Sequence, residues 1–165
     1  GVKKVNDSED LAQQLKGLFK TSDLVIAQSF IPTDYDWRIG ILGNEPLFAC
    51  KYFMARGHWQ IYNWEGKKEE REGDFETVPL HEVPQKVIKT ALKAASLIGD
   101  GLYGADLKEV NGEVFLIEVN DNPNIDAGVE DKLLGDELYN RIIRTLFDRI
   151  ETSRNTSKFI AADPL

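Results

Sequence analysis

Apolar and polar residues alternate along this chain in two places, each time as two strands joined by a short turn require. In the first, Tyr103, Ala105 and Leu107 alternate with Gly104, Asp106 and Lys108. Beyond Asn111-Gly112, Phe115, Ile117 and Val119 alternate with Leu116, Glu118 and Asn120. Strand side chains point to opposite faces in turn. If the apolar sets share a core face, Asp106, Glu118 and Asn120 share the other. A two-residue Asn111-Gly112 turn is the default for that dipeptide. It pairs Val110 with Glu113 and sets Asp106 against Ile117, which splits both sets, because a one-residue slip moves every side chain to the other face. The pattern therefore predicts a three-residue turn, Val110 to Gly112. That turn pairs Glu109 with Glu113 and Gly104 with Glu118, and the glycine leaves open space beside the carboxylate.

The second pair, Asp36 to Leu42 and Leu47 to Ala55, flanks Gly43-Asn44. A two-residue turn there pairs Leu42 with Glu45. Trp37, Ile39 and Ile41 then share a core face with Phe48, Cys50 and Tyr52. Asp36, Arg38 and Lys51 take the other face, with Asp36 opposite Lys51. Two readings of that face stand: a cross-strand ion pair, or a polar wall where cations meet phosphate and a carboxylate meets a ribose hydroxyl. Arg56, Gly57 and His58 extend the basic stretch. His58 beside Trp59 reads as structural, and His81 is assigned nothing.

Elsewhere the period changes. Asp7 or Ser8 caps a helix over Glu9 to Lys20, with Leu11, Leu15, Leu18 and Phe19 on one side. Leu24 to Ile31 reads as a buried strand closed by Pro32. Trp59, Ile61 and Tyr62 lie in an extended piece, and Glu65 to Gly73 is a charged, exposed, mobile loop. Pro84 opens a helix that Gly99 ends, with Val87, Ile88, Ala91, Ala95 and Ile98 buried. A last helix, Gly135 to Glu151, buries Leu138, Ile142, Leu146 and Ile150. The expected fold is α+β, an antiparallel sheet backed by helices. It occupies residues 1–151, followed by a flexible tail, 152–165.

Composition narrows the function classes. The 165 residues are 42% hydrophobic and 29% charged, values usual for a globular chain. A formal charge of -8 argues against a nucleic-acid partner and against anionic membranes. One cysteine, Cys50, forms no internal disulfide and fits a reducing, cytoplasmic setting. No apolar run reaches spanning length, and there is no signal-peptide pattern. A start at Gly1 without methionine suggests a piece cut from a longer chain.

The candidate chemistry lies on the first strand pair. Two carboxylates and an amide, all oxygen donors, suit Mg²⁺ or Mn²⁺ and leave positions for phosphate oxygens and water. The competing reading is a solvated polar sheet face. Two features favour a site: Glu118 sits between apolar Ile117 and Val119, and the strand ends in Asn120-Asp121-Asn122-Pro123-Asn124. An EF-hand from Asp121 fails, since its sixth position is Asp126 and its twelfth Lys132.

The ordered segments VIAQSFI, DWRIGIL, GLYGADL and FLIEVNDNPNI resemble the C-terminal half of the ATP-grasp domain of RimK-type ligases, over Gly1 to Glu151. That family is related to glutathione synthetase. The resemblance implies ATP and two Mg²⁺ or Mn²⁺ ions, with Asp106, Glu118 and Asn120 as metal ligands. It implies an adenine hinge at Gln28, Ser29, Phe30 and Ile31, and Asp36 near the ribose. It places Arg38, Lys51, Arg56 and Asn63 toward phosphates and substrate, with Arg38, Lys51 or Arg56 stabilising an acylphosphate. The implied activity is carboxylate–amine ligation on small-molecule or peptide substrates, with no nucleic acid or membrane partner; a homo-oligomer is compatible with it. Two phosphate-holding lysines of the family come from upstream. Gly1-Val2-Lys3-Lys4 resembles the tail of its glycine-rich loop, and neither Lys3 nor Lys4 matches those lysines. The isolated piece is therefore expected to be inactive. KYFMARGHWQIYNW is richer in aromatics than the ribosomal-protein glutamyl ligases and resembles a separate RimK-like subgroup. A non-catalytic nucleotide- or metal-binding module is the alternative.

Overall fold

The computed structural model describes residues 2–63 and 71–161, with side chains through residue 154. Most of the expected loop Glu65 to Gly73, and residues 162–165 of the expected tail, lie outside the described residues. The chain divides into two compact units, Gly1–Pro32 and Thr33–Leu165.

The first unit contains one helix, α1 (Ser8–Leu18). The Asp7 side chain caps it, accepting from the backbone N–H groups of Glu9 (3.0 Å) and Asp10 (2.8 Å). The expected apolar side is not buried: no α1 residue is, and Leu11 and Phe19 are exposed. The segment Leu24 to Ile31 is not a strand, and Leu24 and Ile26 are exposed. A strand exists only by exchanging hydrogen bonds with a neighbour, and among the described residues of this unit there is no strand for it to pair with.

The second unit is built on a five-stranded antiparallel sheet. Its strands are β1 (Tyr35–Leu42), β2 (Glu45–Phe53), β3 (Phe75–Thr77), β4 (Leu102–Val110) and β5 (Glu113–Asn120), in the order β3-β2-β1-β4-β5. The short β3 has no counterpart among the expected elements. The extended piece near Trp59 reduces to one bridge, Tyr62 to Glu72.

Both hairpins turn in two residues. Gly43 (φ 60°) and Asn44 (φ 66°) form one turn, and Asn111 (φ 53°) and Gly112 (φ 74°) the other. Positive φ at both central positions is the geometry that matches strand twist. The three-residue turn expected at Val110 to Gly112 is therefore wrong: Val110 pairs with Glu113. The conflict that motivated it is resolved by a β-bulge instead. Leu107 pairs with Leu116 but Asp106 with Glu118, so Ile117 is an extra residue. Near the turn the even register stands, so Phe115 lies opposite Lys108 and is exposed, and Val114 packs on the core instead. The other hairpin holds a bulge that was not expected. Ile41 pairs with Pro46 but Gly40 with Phe48, with Leu47 extra. Beyond it the expected faces invert: Trp37 is opposite Lys51, Arg38 opposite Cys50 and Asp36 opposite Tyr52.

Each sheet face has its own core. On one, helix α2 (Gln85–Ser96) lays Val87, Ala91 and Ala95, all fully buried, against Trp37, Ile39, Ile41, Ala105 and Leu107. Ile98, past the helix end, is exposed. On the other, Leu42, Leu47, Phe48 and Cys50 pack with Ile125, Val129, Leu134 and Leu138. Leu138 belongs to α3 (Asp136–Ala161), which continues through ten residues assigned from sequence to the tail. Leu138 and Ile142 pack inward as expected; Leu146 and Ile150 are exposed.

Candidate functional site

The second face can be read as three rows running across β2, β1, β4 and β5. Phe48, Gly40, Gly104 and Asn120 form the first. Cys50, Arg38, Asp106 and Glu118 form the middle row. Tyr52, Asp36, Lys108 and Phe115 form the third. The bulges create these rows, since each shifts its register by the residue that brings polar groups together.

The first row is backbone brought close to rings. A Cβ on Gly40 would lie 2.2 Å from the Phe48 ring, and one on Gly104 would lie 2.8 Å from Pro123 Cβ. The space expected beside the carboxylate at Gly104 is filled by Pro123. That contact seats the Asn120–Asn124 turn directly on the strand that carries Asp106.

In the middle row Arg38 grips Asp106 with both arms, Nε to Oδ1 and Nη2 to Oδ2, each at 2.8 Å. Such fork-to-fork pairs are the strong, directional kind. Asp106 holds the guanidinium pKa above its usual value. Burial raises that of the Asp106 carboxyl, and the Arg38 bond opposes the rise. Glu118 lies directly across from Asp106. Asn120 donates from Nδ2 to Glu118 Oε1 at 3.0 Å, a bond that does not use its amide oxygen. Asp106, Glu118 and Asn120 thus share one face, as the alternation required. Two carboxylates and an amide oxygen fit a hard divalent ion. Among the described residues no group of three His, Cys, Asp or Glu side chains forms a metal cluster.

Lys108 organises the third row. It is largely buried, donates to Thr33 Oγ1 at 2.7 Å and pairs with Asp36 Oδ1. Asp36 was expected to pair with Lys51. Lys51 instead lies on the α2 face, 2.9 Å from Glu76 and 5.3 Å from the ring centroids of Tyr35 and Trp37. The structure therefore separates Lys51 from Arg38. Arg56 is exposed in the turn after β2, and the Asn63 N–H donates to the Arg71 carbonyl at 2.7 Å. Gln28, Ser29 and Phe30 are exposed and Ile31 half-buried, all without regular structure, in the first unit. There Lys4 Nζ lies 3.9 Å from the Phe30 ring centroid.

Two site residues were not singled out from sequence. Lys108 was legible, since it sits two positions from Asp106 on the same face. Glu130 carried no signal. It is almost fully buried, accepts the Tyr52 hydroxyl on Oε1 and the Asp126 N–H on Oε2 at 2.8 Å. Burial first, then Glu130, raises the Tyr52 phenol. Tyr52 in turn lies under Arg38, whose guanidinium carbon is 5.2 Å from the ring centroid. Thr77 Oγ1, donating to the Val129 carbonyl at 2.7 Å, fastens the same loop to β3.

A family profile described as D-ala D-ala ligase C-terminus matches residues 1–127. No curated protein matches the chain. Among solved structures, the D-alanine–D-alanine ligase of Bacillus anthracis, both with ATP and without, superposes with a TM-score of 0.70 at 20% identity. The match covers 92% of this chain and 52% of that one. The ATP-grasp ligase PsnB with its minimal precursor superposes at 0.50 and 18% identity, over 70% of this chain and 36% of its own. These likenesses are of fold: the sheet and its helices are those of an ATP-grasp C-terminal subdomain. The chain spans about half the length of the solved D-alanine–D-alanine ligase it matches. Among the described residues no helix is long and apolar enough to cross a membrane.

Proposed function

We propose, from the premise that this chain belongs to the D-ala D-ala ligase C-terminus family, that the full-length protein is an ATP- and divalent-metal-dependent carboxylate–amine ligase of RimK-like type. The observation that carries the reading is the middle row, with Asp106 facing Glu118, Asn120 beside it and Arg38 against Asp106. In the proposed reaction the γ-phosphoryl group of ATP passes to a substrate carboxylate. An amine then attacks the acylphosphate carbonyl and phosphate leaves.

Asp106, Glu118 and the Asn120 amide oxygen would hold Mg²⁺ or Mn²⁺, two ions by the family resemblance. When bound, the metal offsets charge on the transferring phosphoryl group. Pro123 on Gly104 keeps the Asn120 turn in register with Asp106. Arg38 is proposed to meet phosphate or acylphosphate oxygens; Lys51, which lies on the α2 face, is not proposed for that role. Gln28, Ser29, Phe30 and Ile31 are proposed as the adenine hinge, Asp36 as the ribose contact, and Arg56 and Asn63 as substrate-facing.

The test is a Mn²⁺ and ATP titration of the full-length protein and its Asp106→Asn and Glu118→Gln variants, with ADP release followed on candidate acceptors. Ligation predicts turnover in the wild type that both variants lose. Affinity lost without turnover in any form would make the protein a binding module.

A further inference from the structure

The Arg38–Asp106 fork poses a problem for metal binding, because both oxygens of Asp106 are already engaged. A magnesium ion needs carboxylate oxygen at about 2.0–2.1 Å, and the guanidinium fork already takes one lone pair on each Asp106 oxygen, which leaves an ion only the remaining ones. Two cations on one carboxylate also repel. Across the ladder, Asp106 and Glu118 are directly opposed carboxylates, an arrangement that is destabilising when nothing offsets it. Arg38 supplies the offset.

Resting on the proposed metal site, we infer that Arg38 is a placeholder for the divalent ion. It neutralises Asp106 until metal arrives and is then released to the anionic co-ligand, a phosphate-bearing molecule. Metal loading and presentation of the guanidinium are thus one event. The surroundings suit such a release. Arg38 stands over the Tyr52 ring, and the buried Glu130 carboxylate lies behind Tyr52 as its hydrogen-bond acceptor. A freed guanidinium keeps the Tyr52 ring, with the Glu130 carboxyl group bonded to its hydroxyl, on its own side of the sheet. It therefore stays near the site. A carboxylate alone cannot provide this coupling; it requires a cation that competes with the metal and is then attracted to the ligand the metal brings.

The experiment measures Mn²⁺ binding to the full-length protein without nucleotide, by the loss of the free aquo-ion spin resonance signal, with Arg38→Met and Asp106→Asn alongside. Competition predicts that Arg38→Met binds Mn²⁺ more tightly than wild type by at least about fivefold, the lower end of ordinary site-to-site coupling. It also predicts that inorganic pyrophosphate tightens Mn²⁺ binding more in wild type than in Arg38→Met. Equal or weaker Mn²⁺ affinity in Arg38→Met overturns the inference, since Arg38 would then be inert or would merely orient Asp106. A second measurement needs no folded variant: the solvent exchange of the Arg38 Nε–H, followed by NMR in the wild type. Its exchange accelerates at saturating Mg²⁺ if the fork opens; unchanged protection overturns the placeholder role. Unaltered Mn²⁺ affinity in Asp106→Asn would instead overturn the metal site itself and the ligase reading with it.

Discussion

Cys50 sits in the middle row beside Arg38, yet its chemistry is set by burial. The thiol is fully buried, and desolvation, with Glu130 adding to it, pushes its pKa from 9.0 up to about 12. Well below pH 9 the thiol is protonated whether the chain is folded or not, so it adds no pH dependence there. Above that, the unfolded thiol loses its proton while the folded one keeps it, and stability falls as pH rises toward 12. Urea denaturation of wild type and Cys50→Ala between pH 8 and 11 checks this. Wild type should lose stability more steeply, and parallel curves would show that Cys50 does not contribute. The same burial leaves Cys50 a packing residue: the neutral thiol is a poor nucleophile.

At the scale of elements, the bulges at Leu47 and Ile117 decide which side chains meet. A two-residue turn and an apolar face each impose a register, and in both hairpins the two registers differ by one. Inserting one residue satisfies both at the cost of a local ladder defect. The β4–β5 conflict was visible in the alternation of Tyr103 to Leu107 against Phe115 to Val119, although its resolution by a longer turn was incorrect. The β1–β2 conflict was invisible, because Leu47 and Phe48 are both apolar and either reads as the core residue. Pro123 against Gly104 is the second element-scale device. Gly104→Ala places a methyl at 2.8 Å from Pro123 Cβ, and it is expected to destabilise by about 1–3 kcal/mol, as overpacking does. It should also weaken Mn²⁺ binding by displacing Asn120. Thermal unfolding and the Mn²⁺ titration together check it; stability lost with metal affinity retained would uncouple the turn from the site.

For the whole molecule, stability is expected to differ between the two units. The Gly1–Pro32 unit has one helix that buries no residue. In the other unit, Ile39, Ile41, Ala105 and Leu107 are fully buried between helix and sheet. Amide exchange follows such local differences. The α1 amides should exchange at least about a hundredfold faster than those at the centres of β1 and β4 under native conditions. Equal protection, read by hydrogen–deuterium exchange, would show that α1 is as stable as the sheet and overturn the expectation.

Local pattern determined β1, β2, β4 and β5 and the sharing of one face by Asp106, Glu118 and Asn120, because alternation on a strand is a property of neighbouring residues. It also determined α2 and its stripe of Val87, Ala91 and Ala95, and the site where Asp7 caps α1. Partnership is not local, and the tertiary structure alone decided it. Asp36 meets Lys108 rather than Lys51, Lys51 faces α2, and Arg38 closes on Asp106, because bulges set strand register. Leu24 to Ile31 has a strand's composition but no neighbouring strand among the described residues of its unit. Glu130 entered the site from a loop without periodicity, since a buried carboxylate is defined by the donors around it, and these come from Tyr52, far away in the chain, and from Asp126.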